Sequence, residues 1–274
     1  MGTPYQEIFL RYPDFKTKAV TMSYDDGVVQ DRRLVDAMNR NGLKGTFNLN
    51  SGLFGTGNHL PAGELPALYR GHETAVHTLT HPHLNNLSTA QIAVQVLRDR
   101  ENLESLFGTL VEGMAYPFGL TETPDQVRTL ADCGIRYART TVTTEAFGLP
   151  EDPLRWNPTC HHANPNLPKL LEAFLQPDDW AHPWRITAKL FYVWGHSYEF
   201  DGKWDEMEDL CRNLGGHKEV WYATNGQIID YLEAYRRLRR SADGSIVLNP
   251  THIRLWLSVC GENRILEPGQ AMTV

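Results

Sequence analysis

Short β-rich runs alternate with helical patterns along most of the 274-residue chain, and this alternation restricts the fold more than any other feature. The β-rich runs cover residues 19–24, 44–50, 73–76, 113–116, 137–141, 186–194 and 219–222. The helical patterns that follow them cover residues 31–42, 64–69, 89–108, 124–133, 169–175, 204–214 and 227–240. Ser88-Thr89-Ala90-Gln91 is a capping-box sequence, which predicts the start of the third helix. Alternation of this kind favours parallel strands joined by right-handed helical crossovers. We therefore predict an α/β fold built from about seven strand–helix units.

The end of the chain has a different pattern. Two β-rich runs, at residues 245–248 and 253–259, follow one another around the turn-forming sequence Asn249-Pro250-Thr251 without a helix between them. We predict that residues 1–244 form the barrel-like domain and that residues 245–274 form a C-terminal β extension packed on it.

Composition and charge argue against a nucleic-acid partner. The hydrophobic content of 41% and the charged content of 22% are typical of a soluble globular protein. The formal net charge is −7, whereas binding to phosphate backbones requires a basic surface. We interpret the basic cluster at residues 236–240 as the end of a predicted helix, where cations complement the helix dipole.

Cysteine spacing and hydropathy favour a cytoplasmic protein. The cysteines are widely scattered, with no C-x-x-C pair that would suggest a disulfide framework or a thiolate zinc site. The amino-terminal residues lack the apolar core of a signal peptide, although removal of such a segment from a longer chain stays open. No run approaches the roughly 18 apolar residues of a membrane span. The sequence does not indicate an oligomeric state.

Two histidines and an acidic pair form the strongest candidate site. His77 and His81 are four residues apart, so a helical turn would place both imidazoles on one face. Neutral imidazoles bind zinc-like ions, and a carboxylate can complete a three-residue site that keeps a position open. The Asp25-Asp26-Gly27 sequence offers two carboxylates, so one can bind metal while the other handles protons. Taken singly, the acidic triplet is also typical of a surface turn and the histidine pair of ordinary polar contacts.

The other candidate residues share one position in the predicted fold. They lie at or near the carboxyl ends of predicted strands, which form the active-site rim of α/β barrels. These residues are Tyr116, Phe118, Arg139, Trp194 and His196. Arg139 either orients a carboxylate or forms a salt bridge at the rim, and Trp194 is an apolar wall. The pair His161-His162 either belongs to a polar loop or contacts the site or its substrate.

At these residues the sequence resembles the polysaccharide deacetylase family, which is carbohydrate esterase family four and includes the nodulation-type deacetylase domain. The family's T-F-D-D-G motif corresponds to residues 23–27, and its H-[ST]-x-x-H motif to residues 77–81. A third motif corresponds to residues 115–119 (A-Y-P-F-G), and a fifth to residues 194–196 (W-G-H). The resemblance implies an irregular, incomplete (β/α)7-type barrel, with the C-terminal β extension lying outside the family core.

The resemblance also implies an activity and a role for each residue. A metal-dependent hydrolase of this family would remove an N-acetyl or O-acetyl group from an acetylated sugar or glycoconjugate by metal-activated water. Asp26, His77 and His81 would hold one divalent ion, which is zinc or else cobalt or nickel. Asp25 would be the general base and His196 the general acid. The residues expected at the substrate are Tyr116, Phe118, Arg139 and Trp194, with a backbone N–H near Phe118 facing the oxyanion.

The sequence departs from the family pattern at two motifs. The arginine of the third motif is replaced by Ala115, and we hypothesise that Arg139 at the next strand end takes its place. The fourth motif, D-x-x-D-W, is not recognisable, and Arg155-Trp156 is only a faint echo of it. The groove that binds polymers is therefore expected to differ, which favours a small sugar or a glycoconjugate as substrate.

Two other functions are compatible with the same fold. One is an amidase that acts on a non-sugar C–N bond, and the intact Asp26-His77-His81 set argues against its metal-free form. The other is a catalytically silent carbohydrate-binding protein, which is expected to lack Asp25 or His196 although both are present.

Overall fold

The computed structural model describes residues 7–119, 123–182 and 186–274. Its strands are β1 (Ile8–Arg11), β2 (Lys18–Asp26), β3 (Gly45–Leu49), β4 (Glu73–Val76), β5 (Gly113–Ala115), β6 (Tyr137–Arg139), β7 (Cys160–His161), β8 (Lys189–Gly195), β9 (Val220–Tyr222), β10 (Arg239–Arg240), β11 (Ile246–Leu248), β12 (Leu255–Val259), β13 (Glu262–Leu266) and β14 (Ala271–Thr273). Its α-helices are α1 (Asp31–Arg40), α2 (Leu65–Leu68), α3 (Thr89–Phe107), α4 (Pro124–Asp132), α5 (Leu167–Leu175), α6 (Trp204–Leu214) and α7 (Asn225–Arg236).

A parallel sheet forms the framework of the molecule. Its strand order is β6-β5-β4-β3-β2-β8-β7, and β9 also pairs with β2. The pairings between these strands are all parallel, as helical crossovers require. The sheet curls around β2 without closing into a ring, so the predicted incomplete (β/α) barrel is confirmed.

The alternation of side chains along β2 places a polar face on one side of the strand, and this face leads to the site at the end of the strand. Successive strand residues point to opposite faces. Val20, Met22 and Tyr24 belong to the main apolar core, while the residues between them are polar but buried. Thr21 donates a hydrogen bond to Asn225 (2.9 Å), and Ser23 accepts one from Asn48 (2.8 Å). Asp25 continues this polar face, so its carboxylate emerges at the carboxyl end of the sheet.

Helix boundaries follow local capping signals. α3 begins with a reciprocal capping box between Ser88 and Gln91, as the sequence predicts, and ends at Gly108, whose φ of 68° suits glycine. The same reciprocal arrangement opens α4 at Thr123 and α7 at Thr224. None of the helices in the described part of the chain combines the length and apolarity needed to cross a membrane.

Only the first part of the basic cluster at residues 236–240 ends a helix, and the predicted extension of that helix to residue 240 is wrong. α7 ends at Arg236, and residues 239–240 form β10, which pairs antiparallel with β11. The conformation of residues 239–240 is set by their partner strand, because antiparallel pairing with β11 overrides the local helix propensity.

The first strand of the described chain, β1, pairs with a strand of the C-terminal extension. β1 pairs antiparallel with β12, which pairs with β13, while β11 joins β10 to β14. Leu255 and Leu257 of β12 share an apolar cluster with Ile228 and Leu232 of α7. The extension therefore packs on the last helix of the barrel, and the division of the chain at residue 244 stays a prediction.

Candidate metal centre and active site

The carboxyl ends of four parallel strands bring the predicted polar residues together. Asp25 and Asp26 end β2, His77 follows β4, and Arg139 ends β6, while His196 follows β8. Nε2 of His77 lies 3.8 Å from Oδ2 of Asp25, and Nε2 of His196 lies 3.9 Å from the same oxygen. These residues, spread over more than half of the sequence, form one cluster.

Asp26, His77 and His81 place three ligand atoms around a common point. Oδ1 of Asp26 lies 3.7 Å from Nε2 of His77 and 3.8 Å from Nε2 of His81, and all three ligand atoms lie within 4.8 Å of one another. Metal–ligand bonds of about 2 Å allow one ion to contact two atoms that are up to about 4 Å apart, and both distances from Asp26 are within that limit. The group thus has the composition of an open catalytic site, with two imidazoles and one carboxylate.

The tautomer of His77 supports metal binding. Its Nδ1 lies 2.8 Å from the backbone oxygen of Ala115, which can only accept, so Nδ1 carries the proton. Nε2 is then an unprotonated acceptor that faces Asp26 and His81. The side chain is 1% exposed, and among the described residues nothing donates a hydrogen bond to Nε2. An orphaned buried acceptor costs about 1–3 kcal/mol, and a metal ion at this point would relieve that cost. The residues present fit a divalent ion.

The segment that carries the two histidines is not helical, contrary to the predicted helical turn. Thr78 and His81 have φ angles of 67° and 56°, and the two imidazole rings still converge, with centroids 4.8 Å apart. Asp26 (φ 79°) and Phe118 (φ 61°) are in the same left-handed region. Such conformations cost about 1–3 kcal/mol each in a non-glycine residue and persist only where the surroundings impose them.

Two buried residues impose this backbone. The Asn50 side-chain amide donates to the carbonyl oxygens of His77 (2.5 Å) and Thr78 (2.8 Å). Asp99 of α3 accepts hydrogen bonds from the backbone N–H groups of His77 (3.0 Å) and Ser51 (2.7 Å). Both backbone polar groups of His77 are therefore held from outside, which fixes the direction of its imidazole.

Asp25 is a buried carboxylate held by two donors. Nη2 of Arg139 donates to its Oδ2 (2.5 Å), and the amide of Asn48 donates to its Oδ1 (2.8 Å). Burial alone would raise the pKa of Asp25, but the charge of Arg139, together with His77 and His196, outweighs it and lowers the pKa to about 2. Asp25 is consequently ionised at neutral pH.

His196 lies beside this carboxylate in a partly exposed position. Burial alone would lower its pKa, but the carboxylates of Glu199, Asp25 and Asp26 outweigh burial and raise the pKa above the ordinary value for histidine. An ionised carboxylate and an imidazole that favours its protonated form thus stand next to the candidate metal group.

Comparison with known proteins shows what this part of the chain resembles. A family model described as polysaccharide deacetylase matches residues 13–138, which include Asp25, Asp26, His77 and His81. The match covers a little less than half of the chain, and over these residues the chain is similar to polysaccharide deacetylases. No curated protein sequence matches the chain.

Solved structures of a putative polysaccharide deacetylase, a carbohydrate esterase and a chitin deacetylase share its fold. A putative polysaccharide deacetylase from Mycobacterium smegmatis is 18% identical, with 88% of this chain and 98% of that one covered at a TM-score of 0.60. A family 4 carbohydrate esterase from Streptomyces lividans is 18% identical (76% and 93% covered, TM-score 0.50). The chitin deacetylase of the fungal pathogen Colletotrichum lindemuthianum is 20% identical (78% and 88% covered, TM-score 0.51). At these identities the likeness concerns the fold.

Three of the residues that the sequence predicts at the substrate differ in their surroundings. Phe118 is 47% exposed and stacks face to face on His83, with ring centroids 3.6 Å apart. Tyr116 is buried, and its hydroxyl donates to the backbone oxygen of Leu154 (2.7 Å), so its side chain does not reach a substrate. Arg139 is fully buried against Asp25, a position that favours its alternative role of orienting a carboxylate, and its contact with substrate stays a prediction.

Trp194 is partly buried and lies under the guanidinium of Arg139, whose Cζ is 4.4 Å from the ring centroid. The ring also meets His161 edge-on, with centroids 4.6 Å apart. Trp194 therefore contacts two other residues of the cluster, and its role as an apolar wall at the substrate stays a prediction.

Sequence reasoning missed Glu199 and left His161 and His162 undecided. Oε2 of Glu199 lies 3.1 Å from Nε2 of His161, 3.2 Å from Nε2 of His162 and 3.5 Å from Nδ1 of His196. Glu199 follows His196 by three residues, and this spacing is the one local signal that pointed to it. The pairing of β7 with β8 supplies the rest, since His161 is opposite Trp194 in the sheet.

Proposed function

We propose that this chain is a metal-dependent hydrolase that removes an N-acetyl or O-acetyl group from a carbohydrate. One observation carries the proposal. The orphaned Nε2 of His77 faces Asp26 and His81, and a second carboxylate, Asp25, lies beside it with its orientation fixed. The family match supports the same chemistry.

Asp26, His77 and His81 would hold the ion, and zinc suits this ligand set, with cobalt or nickel as alternatives. When bound, such an ion supplies a Lewis acid that polarises the acyl oxygen and makes water more acidic. Burial, with the neighbouring His77 second, lowers the pKa of His81, so the imidazole is neutral and its lone pair is available to the metal.

Asp25 would be the general base. It is ionised, and Arg139 and Asn48 each occupy one of its oxygens while leaving further lone pairs for a water molecule. Because both donors are buried, the carboxylate cannot rotate away from the metal group. It would take a proton from the water that attacks the acyl carbon.

His196 would be the general acid. Its raised pKa favours the protonated imidazole, and its Nε2 faces Asp25 across 3.9 Å. It would deliver a proton to the departing amine or alcohol of the sugar. A backbone N–H near Phe118 is the proposed donor to the oxyanion.

The substrate we propose is an acetylated sugar or glycoconjugate. The exposed ring of Phe118 lies against His83 and beside His81, with centroids 4.7 Å apart for the second pair. Aromatic rings suit the apolar faces of sugars, and this one borders the candidate metal group. The related solved structures include a carbohydrate esterase and a chitin deacetylase, which supports a carbohydrate ligand.

We also propose a reducing compartment, and hence the cytoplasm, for this chain. Cys133, Cys160 and Cys211 are buried thiols on separate elements, and burial raises the pKa of each. Inert buried thiols of this kind suit a cytosolic protein.

The test combines metal content with acetate release. Purified protein, Asp26→Ala and the control Asp36→Ala, whose side chain is an exposed carboxylate on α1, are analysed by mass spectrometry for bound metal. Acetate release is measured from N-acetylglucosamine oligomers and from O-acetylated xylo-oligosaccharides.

We expect about one zinc-like ion per chain in wild type and Asp36→Ala, with both metal and acetate release lost in Asp26→Ala. Bound metal with hydrolysis of a non-sugar amide instead would favour the amidase. Absence of metal after reconstitution would refute the proposal.

A further inference from the structure

Four nitrogen atoms surround a single oxygen atom next to the candidate active site. Oε2 of Glu199 accepts a hydrogen bond from the backbone N–H of His196 (3.0 Å). The same oxygen is approached by side-chain nitrogens of His161 (3.1 Å), His162 (3.2 Å) and His196 (3.5 Å). Neither the family match nor the proposed chemistry assigns a role to Glu199, His161 or His162.

This cluster is assembled by the sheet and packed firmly. β7 places His161 next to Trp194 of β8, and the backbone N–H of His162 donates to the carbonyl oxygen of Trp194 (2.8 Å). The His162 side chain is 3% exposed and stacks on Phe200, with centroids 4.2 Å apart. The Nε2 atoms of both histidines are thus directed at Glu199 by a rigid framework.

The spacing of His161, His196 and Glu199 alone is compatible with a second metal ion, since their ligand atoms lie within 4.8 Å of one another. The proton positions argue against it. The backbone N–H of Ala163 donates to Nδ1 of His161 (3.1 Å), so Nδ1 is an acceptor and the neutral ring carries its proton on Nε2. A metal ligand needs a lone pair on that atom. His77 has the opposite tautomer, which is the one that suits a metal.

His162 has the same proton arrangement as His161. Its Nδ1 packs closely against the backbone of Gly195, where even a Cβ atom would lie only 2.1 Å from it. Among the described residues, none forms a hydrogen bond with this nitrogen. Burial, together with the nearby His161, lowers the pKa of His162 to about 3, so the ring is neutral. Its proton therefore also resides on the nitrogen that faces Glu199.

Glu199 is consequently an anion with the neutral ring of His162 as one of its donors. Burial would raise its pKa, but the contacts with His161 and His196 outweigh burial and keep the pKa well below the usual range. A neutral donor keeps a carboxylate ionised without cancelling its charge. The full negative charge of Glu199 is then available to the third imidazole, that of His196.

We propose that Glu199, held in place by His161 and His162, is a positioning residue that fixes the tautomer and orientation of His196. The carboxylate attracts a proton to Nδ1 of His196, which lies 3.5 Å away and has no hydrogen-bond partner among the described residues. Nε2 is directed toward Asp25 and the reacting group. This inference rests on the proposed function for the role of His196 as the acid. The tautomers themselves are independent of that function.

The first test is nitrogen-15 NMR of histidine-labelled, full-length wild-type protein. Chemical shifts and couplings to ring protons distinguish a protonated ring nitrogen from an unprotonated one. We expect His161 to be protonated on Nε2 and not on Nδ1, and His196 to carry a proton on Nδ1. A proton on Nδ1 of His161, or a second equivalent of bound metal displacing the Nε2 proton, would overturn the proposal.

Kinetics of Glu199→Gln and His161→Phe test the consequence for catalysis. We expect kcat to fall at least about tenfold in Glu199→Gln with KM nearly unchanged, and the alkaline limb of the pH profile to move to lower pH. His161→Phe, which retains Glu199, is expected to show a smaller change of the same kind. Glu206→Gln and His252→Phe, at exposed positions, serve as matched controls.

The double variant His161→Phe/Glu199→Gln separates positioning from general stability. If His161 acts through Glu199, the double variant has the same kcat and pH profile as Glu199→Gln alone. Additive losses, or an unchanged pH profile in Glu199→Gln, would refute the positioning role. If wild type releases no acetate while the NMR tautomers are as expected, the proposed function fails and the proton arrangement stands.

Discussion

Nη2 of Arg139 lies 2.5 Å from Oδ2 of Asp25, and both side chains are almost completely shielded from solvent. The two residues are separated by 114 positions in the sequence and meet because β2 and β6 belong to one parallel sheet. The contact supports the hypothesis that Arg139 takes the place of the arginine missing at Ala115, and it leads to a stability prediction.

Replacing Arg139 with Gln should destabilise the protein and impair its activity together. Removal of one partner leaves a buried, uncompensated carboxylate, which costs about 3–5 kcal/mol. Urea unfolding measures the loss of stability, and acetate release should fall as Asp25 loses its orientation. Arg254→Gln, which removes an exposed pair with Glu267, is the control and should change stability by less than about 1 kcal/mol.

The double variant Arg139→Gln/Asp25→Asn checks the cause. Removing the orphaned charge should restore part of the lost stability but none of the activity, because the base is then absent. Equal destabilisation in the single and double variants would show that Arg139 stabilises the fold by packing and not by pairing with Asp25.

A buried acid beneath the site should make stability depend on pH. Asp31 is fully buried and accepts hydrogen bonds from Tyr69 (2.6 Å) and Ser197. Burial raises its pKa to about 7, with the Ser197 and Tyr69 contacts opposing this shift and the charges of Asp26 and Asp25 adding to it.

The direction of this pH dependence follows from the raised pKa of Asp31. The folded state holds a proton that the unfolded state releases near pH 4, so the contribution is favourable at low pH and is lost as pH rises toward 7. The stability difference between wild type and Asp31→Asn should therefore shift by a few kcal/mol in favour of the variant between pH 5 and pH 8. Urea unfolding at both pH values measures it, and a constant difference would contradict the raised pKa.

Asn50→Ala should weaken metal binding without touching a ligand. The Asn50 amide holds the carbonyl oxygens of His77 and Thr78, and without it the left-handed turn is free to relax. Loss of such a supporting contact typically lowers metal affinity about 10- to 100-fold. Competition with a chromogenic zinc chelator gives the affinity directly, and Asn213→Ala, an exposed asparagine on α6, should bind like wild type.

The sequence predicted the strands and helices whose signals are local. The β4 bounds, the α6 bounds and the capping box at Ser88 were all predicted, because alternation, helical periodicity and capping residues act over a few positions. The convergence of Asp25, His77 and His196 was predicted too, since strand ends of a parallel sheet share one rim.

Features that depend on long-range pairing were not predictable. β7 is only two residues long and is a strand because it pairs with β8. The local sequence around His161 therefore contains no strand signal. The same pairing brings His161 and His162 to Glu199, whereas His196 precedes Glu199 by three residues. Tyr116 was assigned to the substrate from its motif position, but its hydroxyl found a backbone acceptor in a distant loop at Leu154.

The aromatic rim provides a test of how the substrate is recognised. Phe118 is exposed while His83 lies flat beneath it, so the pair presents one broad apolar surface next to His81. If a sugar ring packs there, Phe118→Ala removes binding energy that is present both before and during reaction, and such a loss raises KM while kcat changes little. We expect KM for N-acetylglucosamine oligomers to rise about 5- to 30-fold, equivalent to about 1–2 kcal/mol.

His83→Ala leaves Phe118 in place but removes its support, so it should produce a smaller rise in KM of the same kind. Leu110→Ala, at another exposed apolar position, is the control and should leave both constants unchanged. A fall in kcat at constant KM for Phe118→Ala would place the ring in the chemical step and not in sugar binding. In that case the backbone at residue 118 would be important for catalysis. Its left-handed conformation (φ 61°) lies next to the backbone N–H that we propose as the oxyanion donor.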